Sequence, residues 1–136
     1  MAAARFLLDT SILIEIARKR RPELRVPLQR HSSAVATSSL SAYELYFAAL
    51  NSRNPERDEA VAHHVLEWIR PLPFDDAAAD AAAELKYRLR AAGTPIGDLD
   101  TLIAGHALSL ELAVITDNVK HFSRVPGLHV ENWLDG

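Results

Sequence analysis

Two short apolar runs, each ending directly in a polar, acid-bearing turn, limit what this chain can fold into. Phe6-Leu7-Leu8 runs into Asp9, and Ala113-Val114-Ile115-Thr116 runs into Asp117. Neither run alternates polar with apolar residues, so each reads as a strand covered on both faces, the pattern of a parallel sheet. Residues 5–8, 33–37, 72–74, 113–116 and 128–130 are the five strand candidates. Between them lie stretches with helical spacing. Thr10 or Ser11 can cap a helix carrying Ile12, Leu13, Ile14 and Ile16. Proline at 22 and 27 leaves the region after it as one broken helix or two short ones. Leu40, Tyr43, Phe47 and Leu50 recur at threes and fours in a third helical stretch. Asn54-Pro55 marks a surface turn that starts the next helix, in which Val61, Val65, Trp68 and Ile69 share a side. Asp75 can cap an alanine-rich helix over residues 76–92 that Gly93 ends. Asp98 can cap a last long helix with Leu99, Leu102, Ile103, His106 and Leu110 inward.

Strand and helix in alternation predict an α/β fold, a parallel sheet with helices on both faces. In such folds ligands bind beyond the C-terminal ends of the strands, which is where Asp9 and Asp117 fall. The 136 residues, 49% apolar and 24% charged, read as one globular domain over residues 1–136. The absence of cysteine excludes a disulfide scaffold, a cysteine zinc site and a cysteine nucleophile. No apolar stretch is long enough to span a membrane. Asp9 interrupts the opening run before it resembles a secretory leader, so a cytoplasmic location is expected.

Fifteen Lys and Arg against 18 Asp and Glu give net −3, so the domain as a whole is not a basic clamp for nucleic acid. The cations are uneven, however: Arg18-Lys19-Arg20-Arg21 is a continuous run. It suits phosphate steering, an acidic partner segment, or simply a solvated helix surface.

Four acids are candidates for chemistry: Asp9, Glu44, Asp100 and Asp117. Each sits at a strand end or early in a helix. If the fold gathers them, they form a hard oxygen pocket suited to Mg²⁺ or Mn²⁺. Clustered carboxylates repel one another unless a cation joins them, which favours a metal site. Each also has a structural role available. Ser41-x-x-Glu44 matches a capping box. Asp98 as N-cap would put Asp100 in the first turn, where an acid suits the helix dipole. Asp9 and Asp117-Asn118 suit turns.

The six histidines show no zinc-site spacing: His63 and His64 are adjacent, and His106, His121 and His129 lack the HExxH pattern. His106 reads as core or as support for the site, and His31 as surface. There is no P-loop, no GxGxxG and no GxSxG. The aromatic residues read as packing.

Three segments, FLLDTSILIE, SSLSAYELYFAA and TPIGDLDTLIAGHALSLELAVITDNVKHFSRVPGLHVENW, carry a resemblance over the whole chain. They resemble PIN-domain ribonucleases of the VapC type, toxins of type II toxin–antitoxin pairs. The resemblance implies a three-layer α/β/α sandwich around a central parallel sheet. It implies that Asp9, Glu44 and Asp100 gather Mg²⁺, with Mn²⁺ able to substitute. The fourth position falls at Asp117, with Asn118 as its alternate. Thr10, Ser11 and Thr116 match positions that touch the metal's water or the fourth ligand, while Asp98 matches a variable position. The implied reaction is hydrolysis of RNA to a 5′-phosphate and a 3′-hydroxyl, by activation of water at the metal. The implied partners are a VapB-like antitoxin and a second copy of the chain, with promoter DNA bound through the antitoxin. A catalytically silent PIN-like binding module and a structure-specific DNA nuclease are the alternatives.

Overall fold

The computed structural model describes residues 3–134. Met1, Ala2, Asp135 and Gly136, which the single-domain reading includes, lie outside them. Among the described residues five strands form one sheet: β1 (Phe6–Leu8), β2 (Val35–Ser38), β3 (Pro71–Leu72), β4 (Ala113–Ile115) and β5 (Val130–Glu131). The order is β3-β2-β1-β4-β5, and every pairing is parallel. The two most apolar runs are therefore neighbours at the centre, with Leu7 opposite Ala36 on one side and Val114 on the other. The third strand lies at Pro71–Leu72 and not at 72–74. It is an outer strand, the place where proline's missing N–H costs least.

Among the described residues seven helices cover the sheet: α1 (Thr10–Arg18), α2 (Arg25–Arg30), α3 (Ser39–Leu50), α4 (Pro55–Trp68), α5 (Asp76–Ala91), α6 (Asp98–Leu110) and α7 (Val119–Phe122). The basic run splits the first helical region in two. Lys19 ends α1 in the left-handed conformation, and a 3₁₀ turn at Pro22–Leu24 leads into α2. Along β1 the side chains alternate between layers. Leu8 joins Ile12, Leu13, Leu45, Val65 and Ile69 on one face of the sheet, and Leu7 joins Leu85, Leu89, Ile103, Val114 and Phe122 on the other. This is the three-layer α/β/α arrangement. The α5–α6 contact depends on Gly105, where an added Cβ would stand 2.4 Å from the Ala82 Cα.

Asp9 caps α1 itself, accepting from the Thr10 N–H, so neither Thr10 nor Ser11 is the cap. Ser38 caps α3, which places Ser41 inside the helix and leaves Glu44 outside any capping box. Gly97 is the residue before α6, so Asp98 is its first residue and not its N-cap. The inner face of α3 is Ser41, Ala42, Leu45 and Ala49, while Tyr43, Phe47 and Leu50 are exposed. Trp68 also faces outward. His31 is not a free surface residue: it stacks on Trp133 at 5.2 Å and leans on Phe6 at 4.7 Å. Asp75 caps α5 as expected, accepting from the Ala78 N–H. No helix among the described residues is long and apolar enough to cross a membrane.

Candidate active site

The C-terminal ends of β1 and β4 open onto a cleft of about 490 Å³. Asp9, Glu44, Asp100 and Asp117 all line it, with Thr10 and Ser11 between them and Asn118 at one side. The sheet positions Asp9 and Asp117. The second turn of α3 and the first turn of α6 carry Glu44 and Asp100 to the same place from residues far apart in sequence.

Asp9 is the most enclosed of the four, at 5% exposure. Its Oδ1 accepts from the Thr10 N–H at 2.7 Å; its Oδ2 accepts from the Thr116 hydroxyl at 2.8 Å and the Ser11 hydroxyl at 3.3 Å. Burial pushes its carboxyl up from 3.8 to about 6, against the lowering effect of those hydrogen bonds, and the neighbouring charge of Asp100 pushes the same way as burial. Glu44 is half-buried and accepts a hydrogen bond from the Thr10 hydroxyl, so one threonine ties α3 to the Asp9 turn. Asp100 Oδ2 accepts from the Asn118 amide at 3.3 Å. Asp117 is exposed at the mouth of the cleft.

The residues after β4 connect the two sides. The Thr116 hydroxyl donates to Asp9 and accepts from the Asn118 backbone N–H at 2.9 Å, while the Asn118 side chain reaches Asp100. Thr116 is fully buried, so its hydrogen bond to Asp9 is shielded from water.

The structure thus brings together Asp9, Thr10, Ser11, Glu44, Asp100, Thr116, Asp117 and Asn118. It does not bring in Asp98, which is exposed and turned toward Lys86 at 3.3 Å. His106 is core: it is buried beside the Ser38 hydroxyl at 3.0 Å and edge-on to Phe74, and burial pushes its imidazole downward. The residue that the motif reading passes over is His121, whose Nδ1 lies 2.9 Å from Asn118 Nδ2 and 3.4 Å from Asp100 Oδ2. Its one-turn separation from Asn118 is the signal that points to it.

Among the described residues, no three of the His, Asp and Glu side chains stand close enough to hold an ion as they are. The carboxylates share one cleft without converging. Their chemistry still fits a hard divalent cation: the donors are carboxylate oxygens, and a cation would offset the charge that Asp9 and Asp100 impose on each other.

Residues 6–128 match the PIN domain family model. The tRNA(fMet)-specific endonuclease VapC of Salmonella typhimurium is 34% identical over 129 residues, which cover 95% of this chain and 98% of that one. Among solved structures, VapBC from Salmonella typhimurium in its DNA-bound form superposes with a TM-score of 0.92 at 34% identity, covering 96% of this chain and 98% of that chain. VapBC2 from Rickettsia felis, bound to a DNA fragment from its promoter, gives 0.89 at 27% identity, covering 97% and 99%. A parallel sheet that delivers Asp9 and Asp117 to one edge, a cleft lined by acids from four elements and a near full-length match all point the same way: this chain belongs to the PIN domain family, among its VapC members.

Proposed function

We propose that this chain is a divalent-metal-dependent endoribonuclease, the toxin of a VapBC-type toxin–antitoxin pair, forming one domain over residues 1–136 and acting in the cytoplasm. The observation that carries the reading is the buried Asp9 carboxylate, set in a cleft with three further acids at the C-terminal edge of a parallel sheet. Nothing in a soluble α/β scaffold requires such an arrangement, and ionised Asp9 is costly to keep there.

Asp9, Glu44 and Asp100 would hold Mg²⁺ or Mn²⁺, with Asp117 completing the set. When bound, the ion supplies Lewis-acid chemistry at phosphorus and water activation. The chain's own groups prepare the site. Thr10 holds Glu44, and Thr116 with Ser11 holds Asp9, so two of the carboxylates are oriented before substrate arrives. Asp117, exposed at the mouth, is placed to orient water on the substrate side.

Two surfaces support the partner assignments. A groove of about 600 Å³ between α1, α3 and α4 is floored by Ile14, Leu45 and Val61 and rimmed by Arg18, Arg53 and Arg57. It suits an amphipathic acidic segment of the antitoxin, through which promoter DNA would be bound. Arg20 and Arg21 of the basic run are paired with Glu15 and Glu23. The outward stripe of Tyr43, Phe47 and Leu50 on α3 supports a homodimer, since exposed apolar patches mark contact surfaces. Light scattering on the purified protein checks this, with Phe47→Glu expected to yield monomer.

The test of function is cleavage of total RNA by antitoxin-free protein, with Mg²⁺, Mn²⁺ or chelator and sequencing of fragment ends. The name of the Salmonella relative makes initiator tRNA the first defined substrate to try. Discrete metal-dependent fragments, absent with Asp9→Asn, are expected. Folded protein that binds Mn²⁺ but leaves RNA intact would count against the nuclease.

A further inference from the structure

We propose that His121 is a positioning residue for the site: it selects the orientation of the Asn118 amide, and through it fixes the Asp100 carboxylate. The proposal rests on the reading of Asp100 as a metal-holding acid and goes beyond it to a residue outside the acidic set.

For the neutral ring of His121 the geometry leaves one consistent assignment of hydrogens. An ionised carboxylate only accepts, so the Asn118 atom 3.3 Å from Asp100 Oδ2 must be the amide nitrogen. That NH₂ carries a second hydrogen, and His121 Nδ1 lies 2.9 Å away to receive it. The ring proton then sits on Nε2. The opposite tautomer would set an Nδ1–H against the amide N–H at 2.9 Å. Nδ1 and Asp100 Oδ2, 3.4 Å apart, are thus two acceptors served by one amino group.

The consequence follows from the symmetry of an amide. Asn118 has two orientations of nearly the same shape, one presenting NH₂ to Asp100 and one presenting its carbonyl. The carbonyl would repel the carboxylate. The Nδ1 lone pair favours the first orientation, because flipping the amide would place its oxygen against two acceptors. With Oδ2 held this way, Asp100 Oδ1 has no hydrogen-bond partner among the described residues, which leaves it available to the cleft.

The mount is stiff at both ends. Phe122, next in sequence to His121, is fully buried among Leu7, Ile103 and Val114. The Asn118 backbone N–H is tied to Thr116, which is tied to Asp9.

The experiment measures Mn²⁺ affinity by electron paramagnetic resonance, without RNA, for the wild type, N118A, H121A, H121N, H121Q, N118A/H121A and D100N. Loss of a partner that orients a metal ligand weakens binding by about 10- to 100-fold. H121A and N118A are each expected to do so, and the double variant to bind no more weakly than N118A alone, because both act through one carboxylate. H121N, whose side-chain oxygen reaches the Nδ1 position, is expected to restore affinity; H121Q, which reaches the Nε2 position instead, is not. In RNA cleavage, kcat should fall with Mn²⁺ affinity while KM for RNA stays put. Wild-type Mn²⁺ affinity in H121A overturns the proposal, as do losses that multiply in the double variant or rescue by Gln in place of Asn. A rise in KM with unchanged Mn²⁺ affinity overturns it too, and puts His121 on the RNA. If D100N binds Mn²⁺ like the wild type, the underlying site reading falls and the proposal with it; if D100N alone loses binding, only the proposal falls.

Discussion

The metal-free protein should be destabilised by its own site, and Asp9→Asn should expose this. In the folded chain the Asp9 carboxyl titrates near 6, against 3.8 when unperturbed. The folded state therefore binds the proton more tightly than the unfolded state does. Between these two values the native state holds more protons, so stability falls as pH rises through the window and the whole cost is present above about pH 6. The difference corresponds to about 3 kcal/mol at neutral pH, and about 2 kcal/mol of it develops between pH 4 and pH 7.5. Asn cannot ionise, and whatever it loses in hydrogen bonding with Thr116 and Ser11 is independent of Asp9 titration. The quantity to follow is thus the difference in stability between Asp9→Asn and wild type across pH, in chelator, by thermal or urea unfolding. It should shift in favour of the variant by about 2 kcal/mol from pH 4 to pH 7.5, roughly 6–10 °C in Tm for a domain of this size. Adding Mn²⁺ at neutral pH should move the difference back toward the wild type by up to about 2.7 kcal/mol at 100 times its Kd, nearly cancelling the cost of ionised Asp9, because the variant lacks one of the acids proposed to hold the ion. A difference that stays flat across pH would refute the claim that burial of this carboxylate is uncompensated.

Three further outcomes follow from the same structure. Glu44→Gln keeps the size of the side chain and the contact with Thr10, so its Tm should stay within a degree or two while RNA cleavage falls by at least about 10- to 100-fold. Gly105→Ala drives a methyl into the Ala82 backbone across the α5–α6 contact and should cost about 1–3 kcal/mol in urea unfolding, a loss that Ala82→Gly should not restore because the Ala82 Cα and N stay in the way at 2.4 and 2.6 Å. Arg57→Glu on the rim of the α1–α3–α4 groove should weaken capture by an acidic antitoxin segment in a binding assay, with RNA cleavage by the free toxin unchanged.

The central strands were legible because their side chains are buried on both faces, which leaves no room for polar alternation. Leu7, Leu8, Val114 and Ile115 are all fully covered. Caps and helix faces were less so, because tertiary contacts decide them. The stretch Ser38-Ser39-Leu40-Ser41 holds three serines able to cap a helix. Ser38 takes the role because β2 stays paired as far as Ser38 against Leu72, and Thr37 is fastened by its hydroxyl to the Leu8 carbonyl. Once the helix starts there, Ser41 is interior and its match to a capping box with Glu44 loses its meaning. The α3 stripe fails for a related reason. The helix is apolar on two sides, and periodicity cannot say which side meets α1 and α4. The smaller residues Ala42, Leu45 and Ala49 allow the close approach, and the larger Tyr43, Phe47 and Leu50 are left outside.

The site divides along the same line. Asp9 and Asp117 could be read from strand-end position alone, since a parallel sheet sends both to one edge. Asp98 and Asp100 share the first turn of α6, and only the helix's rotation on the sheet turns Asp100 into the cleft and Asp98 toward Lys86. That rotation depends on the burial of Thr101, Ile103 and Ala104 and on the tight seat of Gly105 against α5, neither of which is local. His121 is harder still. Its side chain carries none of the chemistry an acidic metal site announces, and its meaning lies in an amide that must choose between two faces. A residue of this kind becomes visible only when hydrogens are assigned to three side chains at once, one of them 21 positions away. The motif reading finds groups that can act on a substrate; groups that orient them follow from the accounting of donors and acceptors, which begins once the fold has set the distances.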